Sequence, residues 1–92
     1  MRNRDFRWDE EKNRWLKKER NLSFEAVVAA SESNRILDDI DHPTRLNQRI
    51  LIVEINDYVC AVPYVKDENA FFLKTIYPSR AFERKYKESN EQ

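Results

Sequence analysis

The 92-residue sequence contains no glycine. That excludes the glycine-rich loops that cradle phosphates, and it obliges any turn needing positive φ to use asparagine or aspartate. The one cysteine, Cys60, cannot form a disulfide or a cysteine-based metal site within one chain. Between Val59 and Ala61 it reads as a small hydrophobe, because a nucleophilic thiol would need a nearby base and partial exposure. There is a single histidine, so a general acid or base of neutral unperturbed pKa can only be His42. Apolar runs such as Ile50 to Val53 are far shorter than the roughly 20 residues of a membrane span, and the opening MRNRDFRW lacks the apolar core of a signal peptide. The expectation is a cytoplasmic protein with no membrane partner. Net charge is absent too: the formal value is zero at pH 7, which argues against indiscriminate coating of nucleic acid.

What is present is bulky and ionic at once, with 40% hydrophobic, 12% aromatic and 37% charged residues. A chain of this length supports one core and not two, so a single domain is expected over residues 1–88, with 89–92 as a disordered tail. Two local basic clusters survive the overall neutrality. Lys12, Arg14, Lys17, Lys18 and Arg20 stand against Glu19, and Arg80, Arg84, Lys85 and Lys87 stand against Glu83.

Patterning predicts an α+β domain. Arg4 to Trp8 alternate as a short strand does, with Phe6 and Trp8 on one face. Asp9 is a helix cap followed by Glu10 and Glu11, and Lys17, Lys18 and Arg20 precede a stop at Asn21, the charge order a helix dipole prefers. Ser23 caps a second helix, stapled by Leu22 against Val27 and burying Phe24, Val27 and Val28. Arg35 to Ile40 reads as a short strand or irregular edge, and Asp38 to His42 as a turn-forming loop before Pro43. Arg49 to Ile55 is a central strand covered on both faces, joined through Asn56-Asp57 as a hairpin to Tyr58–Val65, which Pro63 restricts to an edge or bulge. Ala70 to Tyr77 completes a meander ended by Pro78, and Ser79 caps a last helix with Phe82 and Tyr86 on one face.

Several groups carry candidate chemistry. Asp38, Asp39, Asp41 and His42 crowd together as carboxylate and imidazole ligands do around a divalent cation, although a solvated loop has the same composition. The aromatic residues Trp8, Trp15, Phe24, Phe71, Phe72 and Phe82 are core material for so small a domain, and Tyr64, Tyr77 and Tyr86 are better suited to touch a ligand. Lys74 near the end of the last strand, Ser79 and Arg80 at the strand-to-helix junction, and Arg49 at the start of the central strand form a basic, anion-tolerant set.

Phe6-x-Trp8-Asp9-x-x-Lys12 followed by Leu22-Ser23-Phe24-Glu25, with Gln48-Arg49-Ile50-Leu51-Ile52 and Lys74-Thr75-Ile76-Tyr77-Pro78-Ser79-Arg80, resembles in order the F-x-W-D-x-x-K, V-S-F-E, E-x-R and R-I-I-S-A-R segments of BrnT-type toxins. The sequence departs from that pattern in having Glu19 and Arg20 where the family has Lys-His, and Thr75 in place of an arginine. The resemblance implies a compact RelE-like fold: an N-terminal strand and two helices on an antiparallel meander, then a short C-terminal helix. It also implies the toxin of a type II toxin–antitoxin pair, an endoribonuclease needing neither metal nor other cofactor, neutralised by a ribbon-helix-helix or similar DNA-binding antitoxin. RNA is the implied substrate, and the involvement of the ribosome is left open. Carried onto this sequence, Arg80 and Arg49 stabilise charge with Lys74 assisting, and Lys12, Arg20, Lys66, Ser79, Arg84 and Lys85 contact RNA. The general base stays open among His42, Lys12 and a tyrosine. Two other functions compete: a non-catalytic toxin-like module that grips a protein, and a metal-dependent nuclease using Asp38, Asp41 and His42.

Overall fold

Local signals start each helix in the computed structural model, which describes residues 5–90, with side chains to 87. Arg4, at the start of the expected first strand, lies outside the described residues; the strand itself is β1, Asp5–Arg7. Helix α1, Glu10–Arg20, begins where the Asp9 carboxylate accepts the Glu11 N–H and ends at Asn21, whose φ of 57° provides the left-handed cap that glycine usually supplies. Helix α2, Phe24–Glu32, begins where Ser23 Oγ accepts the Ala26 N–H, and it buries Phe24, Val27 and Ala30. Val28 is only half-buried, because the stripe follows a three-residue spacing.

The strands β2 (Ile36–Asp41), β3 (Arg49–Ile55), β4 (Tyr58–Asp67) and β5 (Ala70–Leu73) form an antiparallel meander. β1 adds in parallel at the β5 edge, giving the order β1-β5-β4-β3-β2. The Asn56-Asp57 hairpin has both residues at positive φ, 55° and 68°, as a twist-matched two-residue turn requires.

Three expectations are corrected. Pro63 is neither at an edge nor in a bulge: it is buried within β4 and paired with Ile50. Its carbonyl points away from β3 and accepts the Lys74 N–H, so its missing N–H falls on that same side, where β5 has ended. For the same reason the expected strand from Ala70 to Tyr77 is divided. Residues 74–76 leave the ladder, and β6 (Tyr77–Pro78) rejoins β4 opposite Cys60 and Ala61, with Pro78 inside the pairing. Asp38, Asp39 and Asp41 belong to β2 and not to a loop.

The sheet carries helices on both faces. Leu51, Val53, Ile55, Cys60, Val62, Tyr64 and Leu73 pack with Leu16, Leu22, Phe24 and Val27 of the α1–α2 side. Ile50, Ile52, Val59 and Ala61 pack with Phe82 and Tyr86 of α3, Arg80–Asn90, whose first turn Ser79 Oγ caps at the Phe82 N–H. The alternation of β3 between these sets is why its run is nearly all apolar. α3 continues through Ser89 and Asn90, whereas residues 91–92 of the expected tail lie outside the described residues. Trp15 and Phe72 do not serve the core: 41% and 37% of their surfaces are exposed. No helix among the described residues is long and apolar enough to cross a membrane.

Candidate functional site

The site forms where β2 hands the chain to β3. An additional residue in β2 shifts the register between Ile36 and Asp38, and this decides which carboxylates share a face. After the shift, Asp39 pairs with Leu51 and Asp41 with Arg49, on the α1–α2 side of the sheet. Asp38 pairs with Ile52 and turns toward α3, where it accepts the Tyr86 hydroxyl at 2.7 Å. That hydrogen bond holds the Asp38 carboxyl below its ordinary range. Burial first and then Asp38 push the Tyr86 phenol up to about 12.

Arg49 stands directly across from Tyr64 and is held from two directions. Its Nε donates to Asp39 Oδ1 at 3.0 Å and one terminal nitrogen donates to the Asp39 carbonyl at 2.9 Å. The other terminal nitrogen meets Asp41 at 2.5 Å. The Tyr64 hydroxyl donates to the same Asp39 carboxylate, 2.9 Å from each oxygen. Burial, then Asp39, raises the Tyr64 phenol to about 12, and the Asp39 contact raises the Arg49 guanidinium above its usual value. Tyr64 is a buried orienting group, not the ligand-facing tyrosine expected from the sequence.

Next to this network, Asp41, His42, Arg45, Leu46, Asn47, Gln48, Arg49 and Lys66 line a cleft of about 400 Å³. The connecting loop is pinned by two backbone bonds, His42 N–H to the Gln48 carbonyl and Gln48 N–H to the Arg45 carbonyl, both 3.2 Å. The N–H groups of Thr44 and Arg45 both donate to His42 Nδ1 at 3.2 Å. With Nδ1 accepting, the neutral imidazole carries its proton on Nε2, so His42 presents a donor. The cleft therefore combines one imidazole donor, two guanidinium groups, one ammonium group and one carboxylate. Such a set can hold an oxyanion and give it a proton.

The other sequence-predicted residues are scattered. The Ser79 N–H bonds the Val59 carbonyl, five positions along β4 from the Tyr64 that faces Arg49. Ser79 and Arg80 are thus about 17 Å of strand away from Arg49. The expected gathering of Arg49, Lys74, Ser79 and Arg80 does not occur, because Arg49 lies at one end of the β3–β4 ladder and Arg80 follows the strand that pairs at the other. Lys74 leaves the sheet beside Pro63 and lays its ammonium 5.3 Å from the Phe72 ring centroid. Arg84 and Lys85 are exposed on α3, with Lys85 5.4 Å from the Tyr86 ring. Lys12 and Arg20 lie 4.2 and 4.8 Å from the exposed Trp15 ring, and Arg20 also donates to the Ile76 carbonyl. The basic clusters of α1 and α3 are consequently on opposite sides of the sheet.

The metal alternative loses its ligand set by the same register. Asp38 and Asp41 face opposite ways, and no group of three His, Cys, Asp or Glu side chains that could hold a metal ion forms among the described residues. The Cys60 thiol is buried and pushed up to about 11, first by desolvation and then by Glu83, which leaves it unreactive at neutral pH.

Sequence reading grouped Asp39 with His42 only as a metal or loop cluster, and it missed Arg45 and Gln48 as neighbours of His42. Period-two spacing of Asp39, Asp41 and the following turn was the available signal, had β2 been extended to Asp41. Set beside known proteins, the chain matches no family model, no curated protein and no solved structure.

Proposed function

We propose that this protein acts on RNA as a metal-independent endoribonuclease of the toxin kind, with the scissile phosphate held in the His42 cleft. The observation that carries this reading is the convergence of His42, Arg45, Arg49 and Lys66 on one cleft, with the His42 tautomer set by two backbone N–H groups. In the proposed reaction the ribose 2′-oxygen attacks phosphorus and the bond from phosphorus to the 5′-oxygen breaks. The 2′ proton passes to the Asp41 carboxylate and the Lys66 ammonium protonates the departing oxygen, while His42 Nε2–H hydrogen-bonds a phosphoryl oxygen, leaving a 2′,3′-cyclic phosphate and a 5′-hydroxyl. Arg45, Arg49 and the His42 donor stabilise the charge that builds on the phosphorane. The sequence resemblance to BrnT-type toxins and the expected α+β arrangement support the same reading, and a small antitoxin protein is the partner proposed with it.

Purified protein incubated with single-stranded RNA in EDTA should cut it, and His42→Ala, which removes a donor to the phosphorane, should slow cutting by about a hundredfold or more. Arg45→Ala and Lys66→Ala should each weaken it. EDTA-sensitive cutting, or a folded His42→Ala protein of full activity, would remove the assignment. One observation favours the non-catalytic module instead: Arg49 is already neutralised by Asp39 and Asp41. That second reading requires RNA or protein binding without any cleavage.

A further inference from the structure

The two carboxylates on Arg49 are not equivalent. Asp39 takes the Nε side of the guanidinium with its carboxylate and one terminal nitrogen with its backbone carbonyl, and the Tyr64 hydroxyl braces that carboxylate from behind. Removing the Asp39 carboxylate would release the Nε and Tyr64 bonds together and leave only the one to its backbone carbonyl. Asp41 makes a single contact to the remaining terminal nitrogen, its side chain is 89% exposed, and it ends β2 at the mouth of the cleft. The guanidinium plane is therefore fixed by Asp39, and only the nitrogen facing the cleft is open to exchange.

We infer that Asp41 is a built-in, displaceable occupant of the anion position of Arg49, exchanged for a phosphodiester of single-stranded RNA when the ligand enters. This rests on the reading of the cleft as an RNA-phosphate site. A carboxylate oxygen and a phosphate oxygen accept from a guanidinium with the same geometry, so one replaces the other without movement of Arg49. Water already reaches the exposed pair, so its rupture costs little, whereas the phosphodiester gains Arg45, Lys66 and the His42 donor in addition. The exchange makes the site selective: a lone weak anion does not compete well with a tethered carboxylate, but a ligand that engages the whole cleft does. Asp41 is in this respect a specificity-determining residue, and Asp39 a positioning residue acting through Arg49.

The test compares binding of a fluorescently labelled, 2′-O-methylated single-stranded RNA, which cannot be cleaved, by full-length wild type, Asp41→Asn, Asp39→Asn and Asp5→Asn at one ionic strength. Asp5 is paired with Arg7 on β1, so its replacement changes net charge equally without touching the cleft. Asp41→Asn should bind about fivefold more tightly than the Asp5→Asn control, the factor set by an exposed ion pair. Asp39→Asn should show no such gain, because the guanidinium loses its orienting carboxylate. Equal affinities for Asp41→Asn and Asp5→Asn in folded proteins would overturn the exchange. A second readout follows the Arg49 Nε–H resonance during titration with inorganic phosphate. If no variant binds RNA yet phosphate shifts that resonance more readily in Asp41→Asn, the exchange is supported and RNA is overturned as its ligand. If phosphate shifts it alike in both, the exchange fails whatever RNA does.

Discussion

Tyr64 shows how much a single hydroxyl organises. Its ring stacks on Phe71 with centroids 4.8 Å apart, and its oxygen reaches the Asp39 carboxylate that in turn orients Arg49. Hydrogen bonds to charged groups contribute about 1.5–3 kcal/mol, so Tyr64→Phe should lower unfolding stability by an amount in that range. The alkaline limb has a definite sign. Tyr64 and Tyr86 have folded values near 12, above the ordinary 10.0, so the fold favours their protonated forms. Their contribution is fully present below pH 10 and is lost as pH rises through about 12. Urea midpoints measured at pH 8 and at pH 11.5 should therefore fall further for wild type than for the Tyr64→Phe, Tyr86→Phe double variant. Equal falls would show that the phenols are not linked to folding.

At the level of elements, α1 and α2 are joined by a buried polar residue that the amphipathic pattern does not reveal. Asn13 is fully buried, its Oδ1 accepts the Phe24 N–H at 2.8 Å, and its Nδ2 donates to Glu25 at 2.9 Å. It thus satisfies an N–H group that the start of α2 would otherwise leave orphaned. Asn13→Ala strands that donor away from water and should cost about 1–3 kcal/mol in a denaturant titration. The Asn13 bond is also the main cause that holds the Glu25 carboxyl below its ordinary 4.5. A depressed carboxylate contributes stability above its unfolded value and loses it as pH falls, so the cost of Asn13→Ala should shrink in acid. A cost that stays constant from pH 7 to below pH 3 would separate Asn13 from Glu25 energetically.

Across the whole molecule, the sheet works as a partition. α1 with α2 lies on one face and α3 on the other, and the His42 cleft sits at the end of the ladder remote from the start of α3. Arg80 is exposed and, among the described residues, makes no ion pair, so Arg80→Ala should change stability by less than about 0.5 kcal/mol. If the cleft is the reactive surface, initial rates of RNA cleavage by Arg80→Ala should match wild type while those of His42→Ala collapse. The reverse result would move the reaction to the α3 end. An antitoxin of the proposed kind would have to choose a face, since one small partner cannot cap both basic clusters without wrapping an edge of the sheet.

What sequence alone determined is short in range: the caps at Asp9, Ser23 and Ser79, the left-handed stop at Asn21, the Asn56-Asp57 hairpin and the two-faced burial of β3. Each is decided by side chains within a few residues of the backbone groups they satisfy, so the signal is local and legible. The site was legible only as separate parts, His42, Arg49 and Lys66. Tertiary structure decided their assembly, because Asp39, Arg49 and Tyr64 become neighbours only through two antiparallel pairings across three strands. A one-residue register shift in β2 then chose which carboxylates face Arg49, a face assignment that period-two geometry reverses with every added residue. Pro63 makes the same point from the opposite side. Residue type argued for an edge, but a gap in the neighbouring strand, invisible at position 63, made the centre of the sheet acceptable.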